Sequence, residues 1–364
     1  MAKVLSSNVF YFLQKEITGG DQDVNYGKFN SGGNKLYPII PGGEVTLSDN
    51  PQQQVVETNI GHGYPYFATK TGIREITGSF TCLVDAGGAA NGDNALALIQ
   101  WGSTLDGTAK DLVSWSLGKG GLAPSANTLD EIWLGLKPQT MTLTSGADSG
   151  AQRLTAAYDL VGRAAFYGAG VSDLSDDFKA ADPLTQPASP LAEDDNLYPN
   201  INDAAIDGYY HHDIGSSGLT LGTGDGAANA TVSDVSMTFT NTLDIGNGTG
   251  IYPQWCAFTG RQVTCDLTVE FDTTSALAMR DSLVGTGSPT ACTLKLIYNG
   301  PGHLHDPTQN DDLTLDLKGN VLVTAFEPQL ALGTVARANI SLMARLVHPG
   351  STGAFSTDFA VTVA

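Results

Sequence analysis

Few residues in this sequence could do chemistry, and two histidine groups come first. His303 and His305 form a His-x-His pair, and His211 and His212 are followed by Asp213. Alternate histidines on a strand can bind zinc when a third ligand lies near. His303 and His305 instead lie in a segment rich in Gly, Pro and Asp, which is typical of a solvated loop. We therefore favour solvated loop histidines over a metal site.

Glycine-rich and aspartate-rich segments could bind phosphate or calcium. The strings GTGDG at 222–226 and GNGTG at 246–250 lack the preceding strand and following helix of a phosphate-binding loop, so they predict turns. The Asp-dense segments 172–177 and 306–312 could hold Ca²⁺, but solvation is the favoured interpretation. No GxSxG, HExxH, Walker or EF-hand pattern occurs. The sequence predicts no catalytic, cofactor-binding or metal-binding residues, and a protein that is not an enzyme.

The tryptophans and cysteines are predicted to pack rather than to react. The four tryptophans are Trp101, Trp115, Trp133 and Trp255. They are scattered over strand and helix positions, so core or interface packing is favoured over a sugar-stacking platform. The four cysteines are Cys82, Cys256, Cys265 and Cys292, without a Cys-x-x-Cys pair. Free buried thiols are favoured, with a Cys256–Cys292 disulfide as the alternative.

The charge balance limits the possible partners. The chain of 364 residues has 38 Asp and Glu against 18 Lys and Arg, a formal net charge of −20. Such a surface repels phosphate backbones, which argues against gripping nucleic acid but not against nucleic acid passing nearby. Adaptation to a saline habitat would produce the same balance. We expect no signal peptide, because the N-terminus has no sustained apolar core and no small-residue cleavage site. We expect no membrane helix, because no apolar run approaches about 20 residues.

An internal repeat organises the chain. Five blocks occur twice in the same order, and their offset falls only from 188 to 181 residues. The matched blocks are Tyr64-Pro65 with Tyr252-Pro253, 76–84 with 263–271, 93–102 with 274–285, 132–143 with 313–324, and 158–163 with 340–345. The fourth block pairs Lys137 with Lys318. Five collinear matches indicate a duplication, since chance similarity among β sequences would give one.

Each copy predicts the same elements. Paired alternating segments, around 44–47 and 233–240, precede a strand with period-2 alternation. That strand should bury Ile76, Gly78 and Phe80 in the first copy. Its equivalents in the second are Val263, Cys265 and Leu267. A short helix follows, opened by Asp93 or by Thr274 and Ser275 and closed by Gly102 or Gly285, and further strands complete the unit.

The repeat sets the domain boundaries. We predict a first copy with an N-terminal arm at 1–167, an acidic linker rich in Pro, Asp and Gly at 168–230, and a second copy with a C-terminal segment at 231–364. Long loops at 118–131 and 303–312 occupy matching places in the two copies. Structureless loops of this length are usually functional, so we expect arms that reach a neighbour.

Two segments of the sequence resemble a known protein family. RQVTCDLTVEFDTTSALAMRDSLVG at 261–285 and LTLDLKGNVLVTAFEPQLALGTVARANISLMARL at 313–346 resemble the major tail, or tail tube, proteins of long-tailed bacteriophages and archaeal tailed viruses, in their duplicated-domain form. The resemblance covers about 43–165 and 231–347. It implies a mainly β fold of two tandem tail-tube-like antiparallel β-sandwich or open-barrel domains, each with one short flanking helix.

The resemblance also implies a function and its partners. The chain would be a structural virion protein, made in the host cytoplasm and located in the tail. Three chains would form a pseudo-hexameric ring, and stacked rings would form a tube through which viral double-stranded DNA passes without specific binding. Implied partners are further copies of the chain and the tape measure, tail terminator and tip proteins; no catalytic residue or cofactor is implied. The alternative is an adhesive or carbohydrate-binding β-sandwich protein of a virion or cell surface.

Overall fold

The computed structural model describes residues 10–16, 26–27, 36–60, 64–85, 93–105, 111–120, 129–147, 152–167, 208–214, 219–222, 228–229, 231–270, 292–300, 312–329, 337–345 and 359–363. Most of these residues lie in antiparallel strands. The first eight are β1 (Phe10–Lys15), β2 (Leu36–Ile39), β3 (Thr46–Ile60), β4 (Tyr64–Leu83), β5 (Trp115–Gly120), β6 (Leu129–Gly146), β7 (Thr155–Gly162) and β8 (Ala164–Tyr167). The next eight are β9 (Leu219–Gly222), β10 (Ala228–Asn229), β11 (Thr231–Gly246), β12 (Trp255–Glu270), β13 (Cys292–Tyr298), β14 (Leu313–Gln329), β15 (Arg337–Arg345) and β16 (Phe359–Val363). The helix α1 spans Asp93–Ser103, and a 3₁₀ turn spans His211–Asp213.

The same order of strand pairing occurs in both halves of the chain. In the first half it is β2-β1-β5-β6-β7-β4-β3, and β8 pairs with β6. In the second half it is β10-β9-β13-β14-β15-β12-β11, and β16 pairs with β14. The fold is therefore mainly β, with antiparallel sheets, as the sequence predicted.

Alternation of apolar and polar residues explains how the strands pack. Ile76 and Phe80 of β4 are buried, as are Val263, Cys265 and Leu267 of β12, which confirms the inward face predicted for these five residues. Gly78, which was also predicted to be buried, is only half-buried. Successive side chains of a strand point to opposite faces, so the residues between them lie on the other side of the sheet. One cluster of buried side chains contains residues from both halves.

The strand β6 belongs to two layers. Its first part pairs with β5 and β8, and its second part pairs with β7 and β11. Gly135, between the two parts, has φ +70°, and a Cβ there would lie 2.7 Å from the Arg163 side chain. Only glycine adopts such a conformation readily, so it marks the point where the strand changes layer.

The pairing of β6 with β11 joins the two halves edge to edge. Thr140 lies opposite Thr240 and Gly146 opposite Asp234, with an unbroken register between them. The helix α1 contacts β6 and β7 of its own half, and also β11 and β16 of the other half. The Trp101 indole N–H donates to the Leu136 carbonyl at 3.2 Å. We call the β6–β11 pairing the internal junction.

Several expectations can be compared with this arrangement. Asp93 and Gly102 lie at the two ends of α1, as predicted. Within the predicted linker, β9 and β10 pair with the second half, while 168–207 lies outside the described residues, as does the predicted helix at 274–285. Most of the two predicted arms, 121–128 and 303–311, also lies outside them.

Candidate functional site: a polar sheet face between two open edges

A polar face runs across the joined sheet on the side away from the core. Thr140, Thr142 and Thr144 of β6 lie on it, in the middle of the sheet. Thr142 Oγ1 lies 3.1 Å from Thr238 Oγ1 of β11, and Thr144 Oγ1 lies 2.8 Å from Thr155 Oγ1 of β7. The first of these hydroxyl pairs crosses the internal junction, and the second joins two strands of the first half. We call this surface the polar face.

Acidic side chains outnumber basic ones on the polar face. The carboxylates on β7, β11, β12 and β14 are Asp159, Asp234, Asp266, Glu270 and Glu327. Among the described side chains of these strands, β6 and β15, the basic group on this face is Arg337, whose Nη2 donates to Glu270 Oε1 at 2.8 Å. Asp266 accepts from Ser341 at 2.6 Å. The described part of this face is thus net negative.

The polar face is concave over the second half. A concavity of about 600 Å³ has lining residues from five strands, among them Thr144, Asp234, Asp266, Glu327 and Asn339. These five side chains are hydroxyls, amides and carboxylates, although Val235, Leu267 and Ile340 also line the concavity. Three carboxylates, those of Asp234, Asp266 and Glu327, make this concavity negatively charged.

Two strands end the sheet that carries the polar face, and each leaves one edge without a partner among the described residues. β3 pairs with β4 alone. β14 is flanked by β13 and β16 over Leu313–Leu317, but Leu322–Gln329 pairs with β15 alone. An exposed edge offers unpaired N–H and C=O groups to another chain. We call them the β3 edge and the β14 edge, and they lie at opposite ends of the polar face.

Polar side chains tie the two halves together behind the internal junction. Lys137 is 2% exposed, and its Nζ donates to Asp111 Oδ2 at 2.7 Å and to the Cys256 carbonyl. Asp111 also accepts from the Phe258 backbone N–H at 2.9 Å. Asn241 of β11 donates to the carbonyl of Gly102 at the end of α1 at 3.1 Å. These hydrogen bonds join the two halves at sites with little solvent exposure. The internal junction is therefore held by side chains as well as by backbone pairing.

A serine and a histidine, which sequence analysis did not connect, meet in the core. Ser145 Oγ lies 3.1 Å from His211 Nδ1, and His211 Nε2 lies 2.8 Å from the Val232 carbonyl. Because a carbonyl only accepts, Nε2 carries the hydrogen and Nδ1 accepts from Ser145. Tyr298 donates its hydroxyl to Ser145 at 2.9 Å. Ser145 and His211 are each 4% exposed, so this chain of bonds closes off buried polar groups and offers no nucleophile to a substrate.

The carboxylate of Glu16 is buried at the end of β1. Its two oxygens accept from the Ser114 and Ser116 hydroxyls at 2.5 and 2.7 Å, and from the Gly27 and Gly135 N–H groups at 2.9 and 2.8 Å. Burial raises the pKa of Glu16 above its ordinary value, and these four bonds oppose that shift. The carboxylate fastens the N-terminal strand to β5 and to the bend of β6.

The cysteines behave as packing residues. Cys82, Cys256 and Cys265 are free and buried, as the favoured prediction held, and the side chain of Cys292 is not among those described. Burial raises the pKa of the Cys82 and Cys265 thiols, and it raises that of Cys256 to about 11. Thiols with raised pKa values react slowly with oxidants and alkylating reagents.

The structure places the other predicted residues as follows. The 246–250 string forms the turn between β11 and β12, with Gly248 at φ +52°, which confirms a turn. Trp101, Trp115 and Trp133 are buried, and Trp255 is 38% exposed. His303, His305, the 172–177 segment and residues 306–311 lie outside the described residues. Within the described ranges, no group of three or more His, Cys, Asp or Glu side chains is placed to hold a metal ion.

No model of a protein family matches the chain, and no curated protein matches it. In the part of the chain that the structure describes, no helix is both long and apolar enough to span a bilayer.

Proposed function

We propose that this protein is a structural virion protein that polymerises as stacked rings to form a viral tail tube, and that it is not an enzyme. Three chains form each ring, and the two halves of each chain act as two of six similar units. The tube conducts double-stranded DNA into the host without binding it specifically. Copies of the chain are the main partners, together with tape measure, terminator and tip proteins.

The observation that carries the proposal is the internal junction. Two sets of eight strands with the same pairing order meet edge to edge through β6 and β11, and an edge stays open at each end of the resulting sheet. A joint between two different edges is head-to-tail, and repeating it between molecules closes a ring when the rotation allows. Such a ring removes the exposed edges. The repeated order also favours the duplication predicted from the sequence.

The polar face supports the DNA-conducting part of the proposal. Its carboxylates outnumber its guanidinium, and its remaining side chains are mainly hydroxyls and amides. A wall of this kind repels phosphates and offers few lasting contacts to a sliding duplex. The carbohydrate-binding alternative needs a platform of exposed aromatic rings, whereas three of the four tryptophans are buried.

Electron microscopy and mass measurement of the purified protein test the proposal. We expect rings and tubes in negative stain, and a mass of three chains or multiples of it, across a range of protein and salt concentrations. A monodisperse monomer under all of these conditions would contradict the proposal.

A further inference from the structure

The β3 edge is the first-half counterpart of the β11 edge used in the internal junction. Gly78 of β4 and Cys265 of β12 are equivalent, because they lie opposite aligned positions of β7 and β15. Gly78 lies opposite Leu47 of β3, and Cys265 lies opposite Met237 of β11. Leu47 therefore occupies the position in its half that Met237 occupies in the other.

The β14 edge is likewise the counterpart of the β6 edge. Tyr158 of β7 aligns with Ile340 of β15. Met141 lies opposite Tyr158, and Phe326 lies opposite Ile340. Phe326 is therefore the counterpart of Met141, and a register irregularity precedes both on their strands.

This register also revises one sequence match. Lys137 lies opposite Val161, which aligns with Met343, and Met343 lies opposite Leu322. The counterpart of Lys137 is thus Leu322, four residues beyond the Lys318 that the sequence alignment chose. The similar apolar alternation of the two strands made a shifted match look plausible.

Burial distinguishes the internal junction from the open edges. Met141, Leu143, Met237 and Phe239, which meet at the internal junction, are each 0% exposed. Leu47 and Phe326, the counterparts of Met237 and Met141, are only partly buried, although both pack against the core. Apolar side chains half-covered at an open edge gain from a partner, at about 25 cal/mol per Å² removed from water.

We propose that the β14 edge of one molecule pairs with the β3 edge of a second copy, antiparallel, in the register of the internal junction. Residues 325–329 then pair with 46–50 of the next molecule. Thr142 lies opposite Thr238 in the internal junction, so Glu327 lies opposite Ser48 in the new one. The inference rests on the self-assembly in the proposed function and specifies the surfaces that perform it.

The two side chains that this register brings together on the polar face are compatible. Where the internal junction has the hydroxyls of Thr142 and Thr238, the new junction has the Ser48 hydroxyl and the Glu327 carboxylate. The hydroxyl can donate a hydrogen bond to the carboxylate, and both side chains are exposed in the single chain. A hydrogen bond to a carboxylate is shorter and stronger than one between neutral groups. Pro328 has no backbone N–H to donate. The new junction therefore has at most one backbone hydrogen bond fewer than the internal junction.

Disulfide trapping tests this register. In the variant Ser48→Cys/Glu327→Cys, the new junction places the two thiols on directly opposed residues, whose Cα separation of about 5.5 Å suits a disulfide. Oxidation of the assembled protein should convert most chains into covalent oligomers ending at the trimer on a non-reducing gel. The single variants measure the background from native cysteines.

The variant Ser48→Cys/Leu322→Cys is the matched control. Leu322 is 39% exposed and lies on the same face of β14, but about 16 Å along the strand from Glu327 at about 3.3 Å per residue. It should give no oligomers above background. Thermal melting checks that both double variants fold as the wild type does.

The outcomes separate this inference from the proposed function. If wild-type rings form but the 48/327 pair does not cross-link, or cross-links no better than 48/322, the register is overturned and the tube proposal stands. If the 48/327 pair cross-links selectively but no ring or tube forms, the register stands and the tube proposal fails.

Discussion

Thr142 and Thr238 place their hydroxyl oxygens 3.1 Å apart, one from each half of the chain. Their strands pair through the backbone on both sides of this contact, and the apolar residues beneath it are fully buried. The boundary between the halves therefore has the structure of a sheet interior. We therefore expect the two halves to unfold together.

Lys137 should be far more important for stability than Lys119. Lys137→Met removes a 2%-exposed ammonium from Asp111 and leaves that carboxylate without its cation, at a cost of about 3–5 kcal/mol in the free energy of unfolding. Lys119→Met breaks a 2.9 Å pair with Glu131 in which the lysine is 22% exposed, at a cost of about 0–1 kcal/mol. Urea unfolding of both variants measures the difference. Equal losses would show that Lys137 does not tie the halves together.

Glu16→Gln should destabilise the protein because an amide NH₂, which donates, replaces one carboxylate oxygen, which accepts. Each Glu16 oxygen accepts from one backbone N–H, so the amide NH₂ must face Gly27 or Gly135 and leave that N–H unpaired. The expected loss is about 1–3 kcal/mol. Glu131→Gln, the same change at a carboxylate that is 21% exposed, should cost under about 1 kcal/mol.

The same variant changes the pH dependence of stability. The pKa of Glu16 is raised in the folded state, so the folded protein binds this proton more tightly than the unfolded chain. Its contribution to the free energy of unfolding therefore falls as pH rises from the ordinary glutamate pKa to the raised one. Urea unfolding across this pH interval should show the fall in the free energy of unfolding in the wild type and not in Glu16→Gln. Identical slopes would contradict it.

Assembled protein should retain duplex DNA weakly, even at low salt. Asp234→Lys adds positive charge to the polar face and should give salt-sensitive binding in a gel shift, since screening acts over about 8 Å at physiological salt. Asp244→Lys makes the same change on the same strand, beyond the part of β11 that pairs with β6, and should have a smaller effect. Tight binding by the wild type would refute the low-friction account.

Deleting 303–311 should leave the melting temperature unchanged and block the stacking of rings, because polar loops contribute little to a core. The matching deletion in the first half must begin at 121. Gly118 lies within β5, where an added Cβ would lie 2.2 Å from the Phe12 ring, so removing it would damage the sheet. Long tubes from either deletion variant would show that these loops are ordinary surface.

Local patterns made the strands predictable. The alternation around Ile76 and Val263 defined their inward faces, and Asp93 and Gly102 marked the ends of α1. These features depend on a few neighbouring residues, so a single sequence contains them.

Pairings between distant residues could not be predicted in the same way. The contact between Ser145 and His211 spans 66 positions, and the bond from Lys137 to the Cys256 carbonyl spans 119. In the sequence, Lys137 resembles an ordinary surface cation of an alternating strand. It is buried because it lies behind the internal junction. The match of Lys137 to Lys318 failed for a related reason, since strand register depends on bulges that apolar alternation does not reveal.

The internal junction also bears on how assembly begins. Because its two edges belong to one polypeptide, they meet at an effective concentration set by the chain rather than by the amount of protein in the cell. In the proposed ring, half of the joints then form during folding and only the remainder require encounters between molecules. The open edges can accordingly be weak and still close a ring, which limits premature polymerisation while newly made chains are dilute.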